Sequence, residues 1–89
     1  MYRVELKPRA QREFDRLSGG DQSRVLAALT ALAEQPRARR CVKLTGSIYR
    51  LWVGPFRIIY AVFERDQLVL VGKIARREKD TYDDVDTLF

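Results

Sequence analysis

The stretch RLWVGPFRIIY, residues 50–60, decides how the chain folds. It alternates on both sides of Gly54-Pro55, so it reads as a β-hairpin with that pair as the loop. Counting back from the loop sets the register. Val53 lies opposite Phe56, Trp52 opposite Arg57, and Arg50 opposite Ile59. Tyr49, Leu51, Val53, Phe56, Ile58 and Tyr60 then share one face, apolar enough to receive helices. Arg50, Trp52 and Arg57 share the other. The only tryptophan and two arginines on one sheet face are what the rest of the sequence has to explain.

Upstream, Tyr2–Lys7 alternates and predicts a strand, and Pro8 suits the first turn of a helix. Ala10, Phe14 and Leu17 recur at helical spacing over Arg9–Leu17. Ser18-Gly19-Gly20 reads as a break, with Asp21 as the N-cap of a second helix over Gln22–Gln35. Val25, Leu26, Leu29, Leu32 and Ala33 form its apolar stripe, and Pro36 ends it. The short connection predicts an antiparallel helical hairpin. Downstream, Arg37–Arg40 is a basic connector and Val42–Leu44 a short strand. Ile48–Val53, Phe56–Phe63 and Leu68–Ala75 are rich in β-branched and aromatic residues. Glu78–Phe89 predicts a short acidic helix. The expectation is one α+β domain over residues 1–89, in the order β-α-α-β-β-β-α. An antiparallel sheet carries a helical hairpin on one face, with the first strand in the same sheet.

Unbroken alternation from a Phe63–Leu68 pair places Leu70, Gly72, Ile74 and Arg76 on the Arg57 face. Gly72 leaves a gap beside Ile59 there. Ile59, Phe63, Leu68 and Leu70 make an apolar strip that the C-terminal segment or a partner chain must cover.

The charge is local to the same half of the chain. Residues 37–79 hold eleven basic and three acidic side chains, whereas the remainder holds six and nine. The net charge of +5 favours an anionic partner, and a basic face with an aromatic residue suits phosphate contact with base stacking. Taken singly, Arg50 and Arg57 read as ordinary polar-face residues, Trp52 as packing, Tyr82 as an anchor of the last helix, and Arg37, Arg39 and Arg40 as a solvated loop. Their grouping on one side is what favours a site.

Composition narrows the rest. With 46% hydrophobic and 33% charged residues, the 89-residue chain is a folded domain rather than a disordered one. Its one cysteine, Cys41, excludes an internal disulfide and points to a reducing compartment. With no histidine, neither a zinc site nor a base-activated thiol is expected. The first residues lack the apolar run of a signal peptide, and Ile58–Phe63 is too short to span a bilayer. The expected location is cytoplasmic, with no membrane contact.

The element order, the hairpin IYRLWVGPFRIIYAV and the later VGKIARREKDTY resemble the RelE/ParE superfamily of bacterial toxins from type II toxin–antitoxin systems, across essentially the whole chain. The pattern Tyr49-Arg50, Gly54, Arg57, Tyr60 carries the resemblance. The basic Arg76-Arg77 and the following Tyr82 place it nearer the RelE branch. That branch implies a RelE-like microbial RNase fold and a ribosome-dependent endoribonuclease that cuts mRNA in the ribosomal A site, without cofactor or metal. Its implied partners are the ribosome, mRNA and a cognate antitoxin in a hetero-oligomer. The other branch implies a DNA gyrase poison, and a catalytically weak RNA-binding module on the same fold is a third reading.

By the same resemblance Arg57 stabilises the phosphate. Arg76 acts on the leaving group or the phosphate, with Arg77 one residue away. Tyr82 orients the nucleotide and Arg50 stands where some members have lysine. Trp52 stands where the best-studied branch has a second lysine, implicated as the base, so the proton acceptor is unassigned among Lys43, Lys73, Lys79 and Glu78. Lys43, Arg77, Lys79, Arg39, Arg40 and Trp52 are the expected RNA contacts.

Overall fold

A computed structural model describes residues 1–77 and 89. The predicted final helix, and with it Glu78, Lys79 and Tyr82, lies outside the described residues.

β1 spans Arg3–Leu6. Helix α1 follows over Pro8–Asp15, with the proline at its start as expected. Helix α2 covers Gly19–Glu34. The Ser18 hydroxyl accepts from the Asp21 N–H at 3.4 Å, so Ser18 rather than Asp21 is the N-cap. Gly19 and Gly20 lie inside the first turn instead of forming a break. Asp21 sits in that turn, where its charge complements the helix dipole. Val25, Leu29 and Leu32 are buried, whereas Leu26 lies a third of a turn off this face and is exposed.

β2 (Val42–Thr45), β3 (Ile48–Val53), β4 (Phe56–Phe63) and β5 (Leu68–Arg76) complete one five-stranded sheet in the order β1-β5-β4-β3-β2. The meander β2 to β5 is antiparallel, as predicted for β3 to β5, and β2 adds one strand to the expected order. β1 joins parallel to β5, which makes the sheet mixed. Parallel pairing follows from the helical hairpin, which carries the chain back across the sheet before the meander starts.

The β3–β4 hairpin has the register read from the sequence: Val53 opposite Phe56, Trp52 opposite Arg57, Arg50 opposite Ile59. Gly54 has φ +56° at the first position of the two-residue loop, and Pro55 fixes φ at the second, which matches the type II′ hairpin turn in both φ angles. A Cβ at Gly54 would also stand 2.6 Å from Arg24 Nη1.

The β4–β5 pairing departs from unbroken alternation. Tyr60 pairs with Val71, but Ile59 pairs with Lys73, so Gly72 is the extra residue of a bulge. Val69, Val71 and Ile74 therefore face the helices. Lys73 and Ala75 join Ile59 and Arg57 on the opposite face. Where β1 ends, the Glu13 carboxylate from α1 accepts the Ile74 N–H at 2.8 Å and replaces the missing strand partner.

One core lies between the helices and the sheet, built from Ala10, Val25, Leu29 and Leu32 against Leu51, Ile58, Tyr60, Val69 and Val71. The buried Tyr60 hydroxyl donates to the Pro36 carbonyl at 2.7 Å, pinning the end of α2 to the sheet. A small second cluster sits on the other face, where Ile59 is buried among Leu44, Ile48 and Phe89.

Candidate active site

The face away from the helices is organised by the hairpin turn and the end of β5. Arg57, from β4, is 4% exposed, which a charged side chain tolerates only with compensating contacts. Its Nη2 donates to the Arg77 carbonyl at 3.2 Å. The Arg77 N–H donates to the Pro55 carbonyl at 2.9 Å, so Arg77 is tied by its backbone both to Arg57 and to the turn.

Trp52 stands directly across from Arg57. The Arg50 guanidinium lies 4.1 Å from the Trp52 ring centroid and the Arg77 guanidinium 3.7 Å from it. These are close cation–π contacts. Trp52 itself is 45% exposed. The Nε of Arg50 is buried without a hydrogen-bond partner among the described residues. Three arginines thus converge on one indole: Arg57 buried beneath the surface, Arg50 half-buried and Arg77 exposed.

Two expected site residues fall elsewhere. Because of the bulge, Arg76 pairs with Phe56 and lies on the helix side, its guanidinium 5.4 Å from the Phe56 ring. The expectation that it shares the Arg57 face is corrected: Arg77 comes to Trp52 instead. Gly72 inside an otherwise regular strand was the local signal, since an isolated strand glycine often marks a bulge. Lys43 pairs with Tyr49 and so also faces the helix side. It lines a separate cleft with Arg37, Tyr49 and Glu64. There Arg37 donates to the Tyr49 hydroxyl at 3.0 Å and to Glu64 at 3.1 Å, and Tyr2 donates to the same carboxylate. The Tyr2 hydrogen bond, then that of Arg37, holds the Glu64 carboxyl below its ordinary range.

The bulge brings in a residue that had no positional support from the strand pattern. Lys73 comes onto the Arg57 face beside Ile59 and is buried. The gap expected at Gly72 is filled by Phe89, whose ring packs over it and over Ile59. Lys7 Nζ sits 6.0 Å from the centre of that ring. Phe89 thereby covers the apolar strip at its Ile59 end.

Arg39 and Arg40 are exposed in the connector after α2. They line a cleft of about 450 Å³ together with Leu32, Leu51, Trp52 and Val53. Trp52 is the residue this cleft shares with the arginine cluster. No helix among the described residues is long and apolar enough to cross a membrane.

Comparison with known proteins gives a consistent picture. The family model described as the ParE toxin of type II toxin–antitoxin system, parDE, matches residues 4–81. No curated protein matches the sequence. Among solved structures, the isolated RelE toxin of E. coli superposes with a TM-score of 0.79 at 18% identity, covering 100% of each chain. The intact RelBE toxin–antitoxin complex of E. coli gives 0.78 at 20% identity, covering 89% of this chain and 100% of the other. The archaeal RelE–RelB complex of Pyrococcus horikoshii OT3 gives 0.76 at 24% identity, covering 89% and 98%. At these identities the superpositions establish the fold.

Proposed function

The chain belongs to the ParE toxin family of type II toxin–antitoxin systems, within the RelE/ParE superfamily, and on that premise we propose that it acts as a RelE-like, ribosome-dependent mRNA endoribonuclease. The observation that carries this reading is the convergence of Arg50, Arg57 and Arg77 on Trp52. Cleavage by attack of a ribose 2′-OH on the adjacent phosphate needs a proton acceptor, charge stabilisation at phosphorus and a proton for the leaving 5′ oxygen. Arginine stays protonated, so the three guanidiniums serve the second need. Arg57 acts as a fixed charge below the surface, and Arg50 and Arg77 meet the phosphate from above. The Trp52 ring holds two of these guanidiniums in place through its faces.

Proton transfer falls to another group. Of the four candidates, Lys43 faces the helices and Lys73 is brought by the bulge to the Arg57 face; Glu78 and Lys79 lie outside the described residues, so the acceptor is one of Lys73, Glu78 and Lys79. Tyr82 keeps its expected role of orienting the nucleotide. The toxin works in the cytoplasm and is held inactive by a cognate antitoxin, in a hetero-oligomer of the kind seen for RelBE.

The test is cleavage of a translated mRNA, with and without ribosomes. Cutting that depends on ribosomes supports the reading. A second reading, a gyrase-directed toxin, is favoured by one observation: the matching family model is that of ParE. It predicts inhibited supercoiling with mRNA left intact, so the same preparation assayed on both substrates separates the two.

A further inference from the structure

We propose that the cleft between α2 and the outer edge of β3 is a nucleobase site for the RNA strand held on the arginine face. This inference rests on the RNA reading given above and names a second subsite for the same strand. β2 pairs only with Ile48–Arg50, so past Arg50 the outer edge of β3 carries no neighbouring strand among the described residues. The cleft opens at that edge. Its volume, about 450 Å³, accommodates one nucleotide with room for water. Its floor is apolar, from Ala28, Ala31 and Leu32 on α2 and Leu51 and Val53 on β3.

Three features select a nucleotide over other occupants. The exposed Arg39 and Arg40 line the cleft and supply charge for a phosphate. The unpaired strand edge offers backbone N–H and C=O groups, which can bond a base edge as they would bond a neighbouring strand. Trp52 belongs to both this cleft and the arginine cluster, so a strand whose phosphate is held by that cluster can place its neighbouring nucleotide in the cleft. The base bound there is the one flanking the scissile phosphate. The cleft would therefore set the toxin's preference at that position.

Trp52 is the only tryptophan, so its fluorescence reports the site directly. The probe is a short single-stranded RNA of mixed sequence, titrated into the protein without ribosomes. Wild type is expected to change emission on binding. Ala31→Phe, which fills the cleft from an exposed helix position, and Arg39→Ala/Arg40→Ala, which leaves the floor intact, should each weaken binding about tenfold with an unchanged melting temperature. In the ribosomal assay both should raise KM, leave kcat near wild type, and flatten the base preference beside the cut.

No emission change with wild type, or equal binding by both variants, overturns the cleft assignment whatever the cutting assay shows. Loss of antitoxin binding in Ala31→Phe with RNA binding unchanged also overturns it, because the cleft would then belong to the protein partner. Normal RNA binding at the cleft without any cutting leaves the cleft in place and removes the nuclease reading.

Discussion

Arg57 Nη2 donates to the main-chain carbonyl of Arg77 at 3.2 Å, which makes a buried guanidinium the clasp between the β3–β4 turn and the end of β5. Under the RNA reading Arg57 therefore has two tasks, fixing the site charge and holding Arg77 against Trp52. Arg57→Ala is expected to lower ribosome-dependent cleavage by about 10²–10³-fold, the range for removing one transition-state donor. It should also cost about 1–3 kcal/mol of stability in urea denaturation, since the part-buried bond to the Arg77 carbonyl is lost. Arg57→Lys keeps the charge but not the fork, and should fall between. Full cutting by Arg57→Ala/Arg77→Ala would show that the site is elsewhere.

The bulge makes a sharper prediction about neighbouring residues. Arg77 reaches Trp52, whereas Arg76 lies on the helix side over Phe56. Arg77→Ala should therefore reduce cleavage at least tenfold more than Arg76→Ala, which should act mainly through packing. Matched single-turnover rates for the two variants decide it. A larger loss in Arg76→Ala would mean that the strand end re-registers on the ribosome.

How legible the site was turns on two glycines. Gly54 sits in a loop between strands of clear alternation, so the β3–β4 register and the Arg50, Trp52, Arg57 grouping followed from counting. Gly72 is followed by Lys73 and Ile74, and unbroken alternation turns that lysine toward the helices and the isoleucine away from them, so this misfit and the glycine itself were the marks of the extra residue. One missed bulge inverted every side chain after it, moving Arg76 away from the site and bringing Lys73 in. The parallel β1–β5 pairing was not legible for a different reason. Strand order depends on how the helical hairpin crosses the sheet, a tertiary matter that no local pattern encodes.

Gly72 carries a second consequence. A Cβ there would lie 2.6 Å from Phe89 Cζ and 2.9 Å from its Cε1, so alanine must push the ring off Ile59. Gly72→Ala should cost about 1–3 kcal/mol, as overpacking does. In a Phe89→Ala background the same change should be nearly neutral, because the clash has gone. Urea midpoints for the four members of this cycle measure the coupling. An equal cost in both backgrounds would mean that something other than the ring requires glycine.

Tyr60 gives the chain an alkaline limit. Its hydroxyl is buried and donates to the Pro36 carbonyl at 2.7 Å. Burial first, then the hydrogen bond with Cys41, pushes the phenol well above its ordinary value of 10.0. The folded state thus keeps a proton that the unfolded chain releases. Stability from this group is fully present below the unfolded phenol's pKa and is lost as pH rises above it, by about 1.4 kcal/mol per pH unit. Tyr60→Phe has no such proton to lose. At neutral pH it should be less stable by about 1–3 kcal/mol, because the Pro36 carbonyl is left without its donor. Between about pH 9 and pH 11 its denaturation midpoint should fall less steeply than that of wild type, so the two curves converge. Parallel curves would place the alkaline limit on another group and leave Tyr60 as a packing residue with one neutral hydrogen bond.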